Sequence, residues 1–206
     1  FLLVPRLVFA SNVFFTDDFE DGTYNKWSVR SGTWSIKDIL GSKRLGSTVS
    51  NKQTVVEITT GNSLWEDYIY EADMIALQGA DKNIIFRVSD ESNKYGIHMR
   101  SKTQYIPPLV CIERWVTGED FWDECKSWSF SNNNVYHLKV VLVGTRIRFY
   151  VDDELAIDFT DTVLPITNGK IGLRVGTGEA APSEVYFDNI KVTKIESPVI
   201  LIPGHG

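Results

Sequence analysis

Apolar and polar residues alternate with a period of two along most of the chain between about Phe14 and Val192. One such run extends from Tyr68 to Leu77, and shorter runs follow at 84–89, 95–100, 136–142, 147–151, 171–175 and 185–192. Side chains two residues apart share a face of a β-strand, so each run predicts a strand with one buried face. Turn-forming residues separate the runs, and no segment of useful length shows a 3.6-residue period. Because each apolar face must be covered by another, the pattern predicts an all-β, two-sheet antiparallel sandwich.

The composition fits one globular domain and argues against nucleic acid as its partner. The chain has 206 residues, of which 43% are hydrophobic, 23% charged and 12% aromatic. This length fits a single β-sandwich, and the aromatic share favours strands. The formal net charge of −6 argues against nucleic acid as a partner, because proteins that bind the phosphate backbone need a basic surface.

The two ends of the chain differ from its body. Residues 1–11 form an apolar run with small residues at its end, which we interpret as a signal-peptide remnant cleaved after Ala10; a first β-strand is the alternative. The run is too short and too broken by Pro5 and Arg6 to span a membrane. The domain boundaries predicted are 12–194 for the sandwich and 195–206 for a linker and the start of a further domain.

Residues 198–206 resemble the first core strand and oxyanion-hole loop of α/β-hydrolase lipases, because four consecutive apolar residues precede Pro203, Gly204, His205 and Gly206. That resemblance implies a truncated lipase-like hydrolase domain in the same chain. The Gly-x-Ser-x-Gly nucleophile motif of such enzymes does not occur in these 206 residues. Any hydrolase chemistry of this kind would therefore lie beyond Gly206.

The body of the chain resembles concanavalin A-like lectin and glucanase jelly rolls of the laminin-G-like and exo-inulinase-tail kind. The resemblance covers roughly residues 13–194 and rests on segments 15–22, 32–36, 70–74, 137–152, 169–174 and 187–192, together with Trp27. It implies a concanavalin A-like jelly-roll sandwich. It leaves function open, since this fold carries glycosidases, lectins and inert spacers.

Polar residues opposite the apolar stripes form the candidate ligand site. We expect one charged sheet surface that binds a glycan through Glu71, Asp73, Arg87, His98, Arg100, Glu113 and Trp115. Sugar recognition needs an aromatic plane and rigidly held planar polar groups, and these residue types supply both. A cross-strand ion-pair lattice of Glu71, Asp73 and Arg87 with no ligand is the alternative.

The segment from Gln104 to Phe130 breaks the alternation and is interpreted as an aromatic-rich loop. It adds Trp122 to the candidate ligand-binding residues, although Trp122 and Trp128 covering the core is an equally open interpretation. Cys111 and Cys125 are the only cysteines, and an exported protein meets an oxidising compartment, so we expect a disulfide between them; two free thiols are the alternative.

Acidic residues crowd the segment from Asp17 to Asp21. In jelly-roll domains of the kind this chain resembles, a structural Ca²⁺ often ties the N-terminal segment to the last strand. The resemblance therefore implies calcium held by Asp18 or Glu20 with Asp188, because Ca²⁺ takes oxygen ligands. Solvation with turn capping is the alternative.

Together these features predict a non-catalytic carbohydrate-binding or substrate-proximity module of a secreted or cell-surface hydrolase. Its expected partners are a glycan or polysaccharide and a C-terminal hydrolase domain in the same chain, with no nucleic acid and no membrane span. One alternative is a glycoside hydrolase acting through Glu71, Asp73 or Glu113, since glycosidases work with paired carboxylates. Another is a structural spacer that stabilises the following domain.

Overall fold

The computed structural model describes residues 12–101, 107–178 and 181–196, and every regular element within these ranges is a β-strand. Eight strands form one sheet: β1 (Val13–Asp17), β3 (Ser35–Ile39), β4 (Ser42–Val49), β6 (Tyr68–Gln78), β11 (Val135–Val143), β12 (Arg146–Val151), β13 (Glu154–Thr160) and β15 (Ser183–Lys194). Seven strands form the other: β2 (Ser28–Val29), β5 (Val55–Thr60), β7 (Asp81–Val88), β8 (Lys94–Arg100), β9 (Leu109–Val116), β10 (Glu119–Ser127) and β14 (Lys170–Gly176). The predicted two-sheet antiparallel jelly roll is confirmed.

The two sheets pack their apolar faces against each other. The eight-stranded sheet runs β13-β12-β11-β6-β15-β4-β3, with β1 also paired to β15, and the seven-stranded sheet runs β10-β9-β8-β7-β14-β5-β2. Tyr70 and Phe187 from the first and Ile97 and Leu173 from the second are all fully buried. Burying each such side chain contributes about 1.5–3 kcal/mol. The Tyr70 hydroxyl donates to the carbonyl of Gly172 at 3.2 Å, which links the sheets.

Strand pleating decides which side chains of the seven-stranded sheet face solvent. On β8, Tyr95, Ile97 and Met99 belong to the core, so the residues between them point outward. On β7, Arg87 has a left-handed backbone (φ 47°), and the register with β14 shifts beside it. This irregularity interrupts the alternation at the end of β7.

The segment that includes Cys111 and Cys125 is a hairpin of β9 and β10, described from residue 107 onward. The prediction of an irregular loop is therefore wrong for residues 109–127. The predicted disulfide is confirmed: it joins Cys111 on β9 to Cys125 directly opposite on β10. The hairpin places β10 at the edge of the seven-stranded sheet, and the disulfide links β10 to β9.

The predictions for the chain ends lie outside the described residues. They are the signal-peptide remnant at 1–11 and the lipase-like start at 198–206, and both stay predictions. No helix in the described part of the chain has the length and hydropathy needed to cross a membrane.

Candidate functional site

The outer face of the seven-stranded sheet carries a dense set of charged and aromatic side chains, which we call the charged face. Inward-pointing neighbours such as Ile97, Ile112 and Leu173 line the core, so the residues alternating with them point to the outside. The charged face consists of Glu57, Asp81, Asn83, Lys94, His98, Arg100, Glu113, Trp115, Asp120, Trp122 and Arg174.

Arg174 lies at the centre of an ion-pair network on this face. Its Nε is 3.3 Å from Oε1 of Glu57, and its Nη1 donates to Oε2 of Glu113 at 3.2 Å. Lys94 donates to the same Glu57 carboxylate at 2.8 Å. These groups are mostly buried, so their mutual attraction is less screened by solvent than in a surface pair. The network fixes the positions of several hydrogen-bonding groups on one rigid sheet.

His98 lies between two carboxylates beside this network. Its Nε2 is 3.5 Å from Oδ1 of Asp81, and its Nδ1 is 3.6 Å from Oε2 of Glu113. Burial by itself would lower the pKa of His98, but Asp81 and Glu113 outweigh burial and raise the pKa above its ordinary value. Asp81 also pairs with Arg100 at 3.4 Å. Nη2 of Arg100 also lies 3.3 Å from Nε2 of His98, so charged groups surround both ring nitrogens.

The two tryptophans of the charged face have different roles. Trp115 is 8% exposed and lies against Gly96, with the Arg174 guanidinium 4.7 Å from its ring centroid and Lys94 Nζ at 5.2 Å. Trp115 is therefore buried and packs against the side chains of the ion-pair network. Trp122 is 43% exposed, and its ring lies 4.7 Å from the His98 ring. Trp122 is thus the aromatic surface that a ligand can reach.

Asp120 adds a carboxylate with a raised pKa next to Trp122. Burial, followed by the negative charge of Glu113, raises the pKa of Asp120, although a hydrogen bond from Trp122 opposes the shift. Asp120 is exposed on β10, so its carboxyl group is accessible to a ligand beside Trp122.

The structure brings together five of the predicted site residues: His98, Arg100, Glu113, Trp115 and Trp122. The expectation that Glu71 and Asp73 share this surface is wrong, because β6 belongs to the eight-stranded sheet.

On the outer face of that other sheet, the His137 ring lies 2.8 Å from Oδ1 of Asp73 and 3.6 Å from Oε1 of Glu71. Lys191 and Asn189 contact the same two carboxylates, at 3.8 Å from Glu71 and 2.8 Å from Asp73. These acids are therefore paired locally, on the side of the sandwich opposite the charged face.

Arg87 also lies away from the charged face. Its side chain is fully buried and donates to the carbonyl of Ile166 at 3.1 Å, with Asp67 at 3.7 Å. The alternative of an ion-pair lattice of Glu71, Asp73 and Arg87 is therefore wrong as well. The left-handed backbone at Arg87 turns its side chain out of the alternating pattern.

Sequence analysis does not select six residues of the charged face: Glu57, Asp81, Asn83, Lys94, Asp120 and Arg174. Arg174 alternates with Leu173 and Val175 inside a recognised run, so the strand pattern does carry a signal for it. Asn83 and Lys94 immediately precede recognised runs, whereas Glu57 and Asp81 lie outside them. Asp120 had no such signal, because every residue of β10 is exposed or only partly buried.

The residues predicted to bind calcium do not form a cation site. Among the described residues, no group of three or more His, Cys, Asp and Glu side chains is placed to hold a metal ion. Asp188 accepts a hydrogen bond from Ser42 at 2.6 Å and lies 3.6 Å from Arg44, while Glu20 accepts from the same Ser42 at 3.0 Å. Asp18 is exposed and accepts from the backbone N–H of Glu20 at 3.3 Å. The arginine already supplies positive charge beside Asp188, so these residues do not fit a calcium ion.

The fold and the charged face define a concanavalin A-like β-sandwich with a polar and aromatic outer sheet. The chain belongs to the family of 3-keto-alpha-glucoside-1,2-lyase-like domains, whose family model matches residues 15–193. A levanase of Bacillus subtilis (strain 168) is 27% identical over 152 residues, which cover 72% of this chain and 20% of the levanase. The chain thus spans about a fifth of the length of that relative.

Solved structures with the same fold include a carbohydrate-binding module and an enzyme. The module CBM66 from Bacillus subtilis is 24% identical with a TM-score of 0.64, covering 82% of this chain and 96% of the module. The Bacillus licheniformis β-glucanase is 15% identical with a TM-score of 0.64, covering 88% of this chain and 98% of the enzyme. The lumenal domain of VIP36, bound to Ca²⁺ and Man3GlcNAc, is 14% identical with a TM-score of 0.64, covering 92% of this chain and 91% of that domain. These likenesses show the fold.

Proposed function

We propose that this chain is a carbohydrate-binding module whose ligand lies on the charged face beside Trp122. The observation that carries the proposal is the exposed Trp122 ring next to His98 and Arg100, which are held in place by ion pairs. The apolar face of a sugar ring packs on an aromatic plane, and its hydroxyl groups need donors and acceptors of defined geometry.

Rigidity of the charged face supports binding. Arg174, Glu113 and His98 hold one another by ion pairs on a strand scaffold, so little side-chain freedom is left to lose when a ligand arrives. Ordering a free side chain at a binding site costs about 0.5–1.5 kcal/mol. A preformed site avoids much of that cost.

The wider role that we propose is targeting within a larger extracytoplasmic hydrolase. The likeness to part of a levanase and to a carbohydrate-binding module supports this role, and the Cys111–Cys125 disulfide fits an oxidising compartment. A module that binds a polysaccharide raises the effective concentration of a tethered catalytic domain near its substrate.

Cleavage of a glycosidic bond at the same face is the second candidate, favoured by the family membership and by the raised pKa of Asp120 beside Glu113. In this reading Asp120 exchanges a proton with the substrate, and Glu113 supplies negative charge. A pairing of Glu113 with Glu71 or Asp73 is excluded, because their side chains lie on the outer faces of opposite sheets.

A pair of matched substitutions tests the location of the site. Glu113→Gln removes a carboxylate that contacts a histidine and a cation on the charged face, and Glu71→Gln removes an equivalent carboxylate on the opposite sheet. Binding to levan, β-glucan and mannan is measured by affinity gel electrophoresis, and thermal unfolding reports folding. We expect Glu113→Gln to weaken retention and Glu71→Gln to leave it unchanged.

Equal retention by both variants would contradict the proposed site. Release of reducing sugar by the wild-type chain, lost in Glu113→Gln and Asp120→Asn, would favour the enzymatic candidate. No retention of any glycan, together with no sugar release, would favour a spacer. Each measurement is made with and without a chelator, because the VIP36 domain of the same fold is bound to Ca²⁺.

A further inference from the structure

The strand that presents Trp122 lies at the edge of its sheet. Among the strands of the described residues, β10 pairs with β9 alone, and none of its residues, from Glu119 to Ser127, belongs to the buried core. The register of β10 against β9 shifts between Trp122 and Glu124, immediately beside the exposed ring. Edge strands with a bulge have few interactions to fix their register. The position of Trp122 therefore depends on interactions other than the backbone pairing of β10 with β9.

An ion pair on the inner side of the sheet and the disulfide on the outer side hold β10 against β9. On the inner side, Arg114 donates to Asp123 at 3.0 Å and 3.2 Å and lies 3.4 Å from the buried Asp161. On the outer side, the disulfide joins Cys111, which pairs with His98 of β8, to Cys125. The disulfide thus links the strand of Trp122 to the strands that carry the ion pairs, on the face where the ring lies.

The two sulfur-bearing residues differ in accessibility. Cys111 is fully buried, whereas Cys125 is exposed on the edge strand. A thiolate reaches an exposed cystine sulfur more readily than a buried one, and exchange rates depend on that access. The bond can therefore be approached from solvent while the sandwich remains folded.

We propose that the Cys111–Cys125 disulfide positions Trp122 and makes ligand binding at the charged face dependent on the redox state. This inference rests on the proposed function. A dithiol reductant attacks Sγ of Cys125, the S–S bond breaks, and Cys111 leaves as a thiolate that takes up a proton. The second thiol of the reductant then releases Cys125 as a thiol, so the protein gains two electrons and the reductant becomes a cyclic disulfide.

Reduction leaves the core intact, because that core contains no residue of β10. It frees the strand to slip or fray on the outer side of the bulge, so the Trp122 ring loses its fixed place beside His98 and Arg100. Affinity for a glycan is expected to fall by about the same factor as in Trp122→Ala, which is about tenfold or more.

The experiment compares the oxidised chain with the chain reduced by dithiothreitol, using levan, β-glucan and mannan as probes. Amide hydrogen exchange is followed separately for residues 119–127 and for the core strand 94–100. We expect faster exchange only in 119–127 and weaker glycan retention after reduction. The double substitution Cys111→Ser with Cys125→Ser is expected to reproduce the reduced state and to be unaffected by dithiothreitol.

The outcomes separate this inference from the proposed function. Unchanged exchange in 119–127 after reduction would overturn the positioning role whether or not a glycan binds. Faster exchange with unchanged retention would overturn redox control of binding. An oxidised chain that binds no probe would contradict the proposed function, and the exchange data would still decide whether the disulfide holds β10.

Discussion

Replacing Trp122 with alanine tests the central contact of the proposed site, and the structure sets its expected magnitude. Trp122 is 43% exposed. A tryptophan side chain offers about 250 Å², so roughly 100 Å² of the ring is open to a ligand. At about 25 cal/mol per Å², a sugar covering half to all of that area gains about 1.3–2.5 kcal/mol. Trp122→Ala should therefore raise the Kd between about tenfold and about 70-fold.

Phe121 provides a matched control on the same strand. It is 41% exposed, pairs with Arg114 opposite, and points to the other side of β10. Phe121→Ala removes a similar exposed aromatic area without touching the charged face. Because neither side chain belongs to the buried core, each substitution should change the free energy of unfolding by only about 1 kcal/mol or less.

Affinity gel electrophoresis with the polysaccharide that binds the wild-type chain measures the change in Kd, and thermal unfolding measures stability. Loss of affinity in Trp122→Ala with Phe121→Ala unaffected is the expected result. If both variants lose affinity equally, perturbation of β10 explains the loss and the direct ring contact is refuted. If Trp122→Ala binds like the wild type, the ligand lies elsewhere.

Two further predictions concern pH. Because the pKa of folded His98 is raised above 6.5, its contribution to stability is complete below pH 6.5 and is lost as pH rises through the folded pKa; denaturant titrations should show this decline, and His98→Gln should flatten it. Burial lowers the pKa of Lys82 to about 8, against the attraction of Asp81, so the unfolded chain binds the extra proton between that pH and 10.5. The free energy of unfolding should rise across this window by up to about 3 kcal/mol, and a Lys82→Met variant that keeps the rise would contradict the assignment.

The strand pattern predicts most of the fold because pleating imposes it locally. Runs such as Tyr68–Leu77 and Ile171–Val175 have one fully buried face, and burial leaves the period of two in the sequence. β10 has no buried face and therefore no such period, so the sequence pattern does not predict it as a strand. Its strand conformation follows instead from pairing with β9.

The site is only partly predictable from the sequence. The alternation of apolar and polar residues shows which side chains of a strand face the core, but it does not show to which of the two sheets the strand belongs. Glu71 and His98 both alternate with core residues, yet β6 pairs with β11 and β15, while β8 pairs with β7 and β9. β8 pairs with its two sequence neighbours, whereas both pairings of β6 join segments far apart in the chain. The sheet that β6 joins depends on the packing of the whole sandwich, so no local pattern places the two residues on opposite faces.

A carboxylate–histidine–carboxylate arrangement occurs on both outer faces, so charge by itself does not define the site. His137 contacts Asp73 and Glu71 on one side, as His98 contacts Asp81 and Glu113 on the other. The side chain of His137 is 40% exposed, whereas that of His98 is 7% exposed and lies against the ring of Trp122. Hydrogen bonds gain strength where water is excluded, and an indole that covers them also offers a sugar its apolar surface. The pairing of desolvated charge with an exposed ring therefore favours the seven-stranded sheet as the binding face.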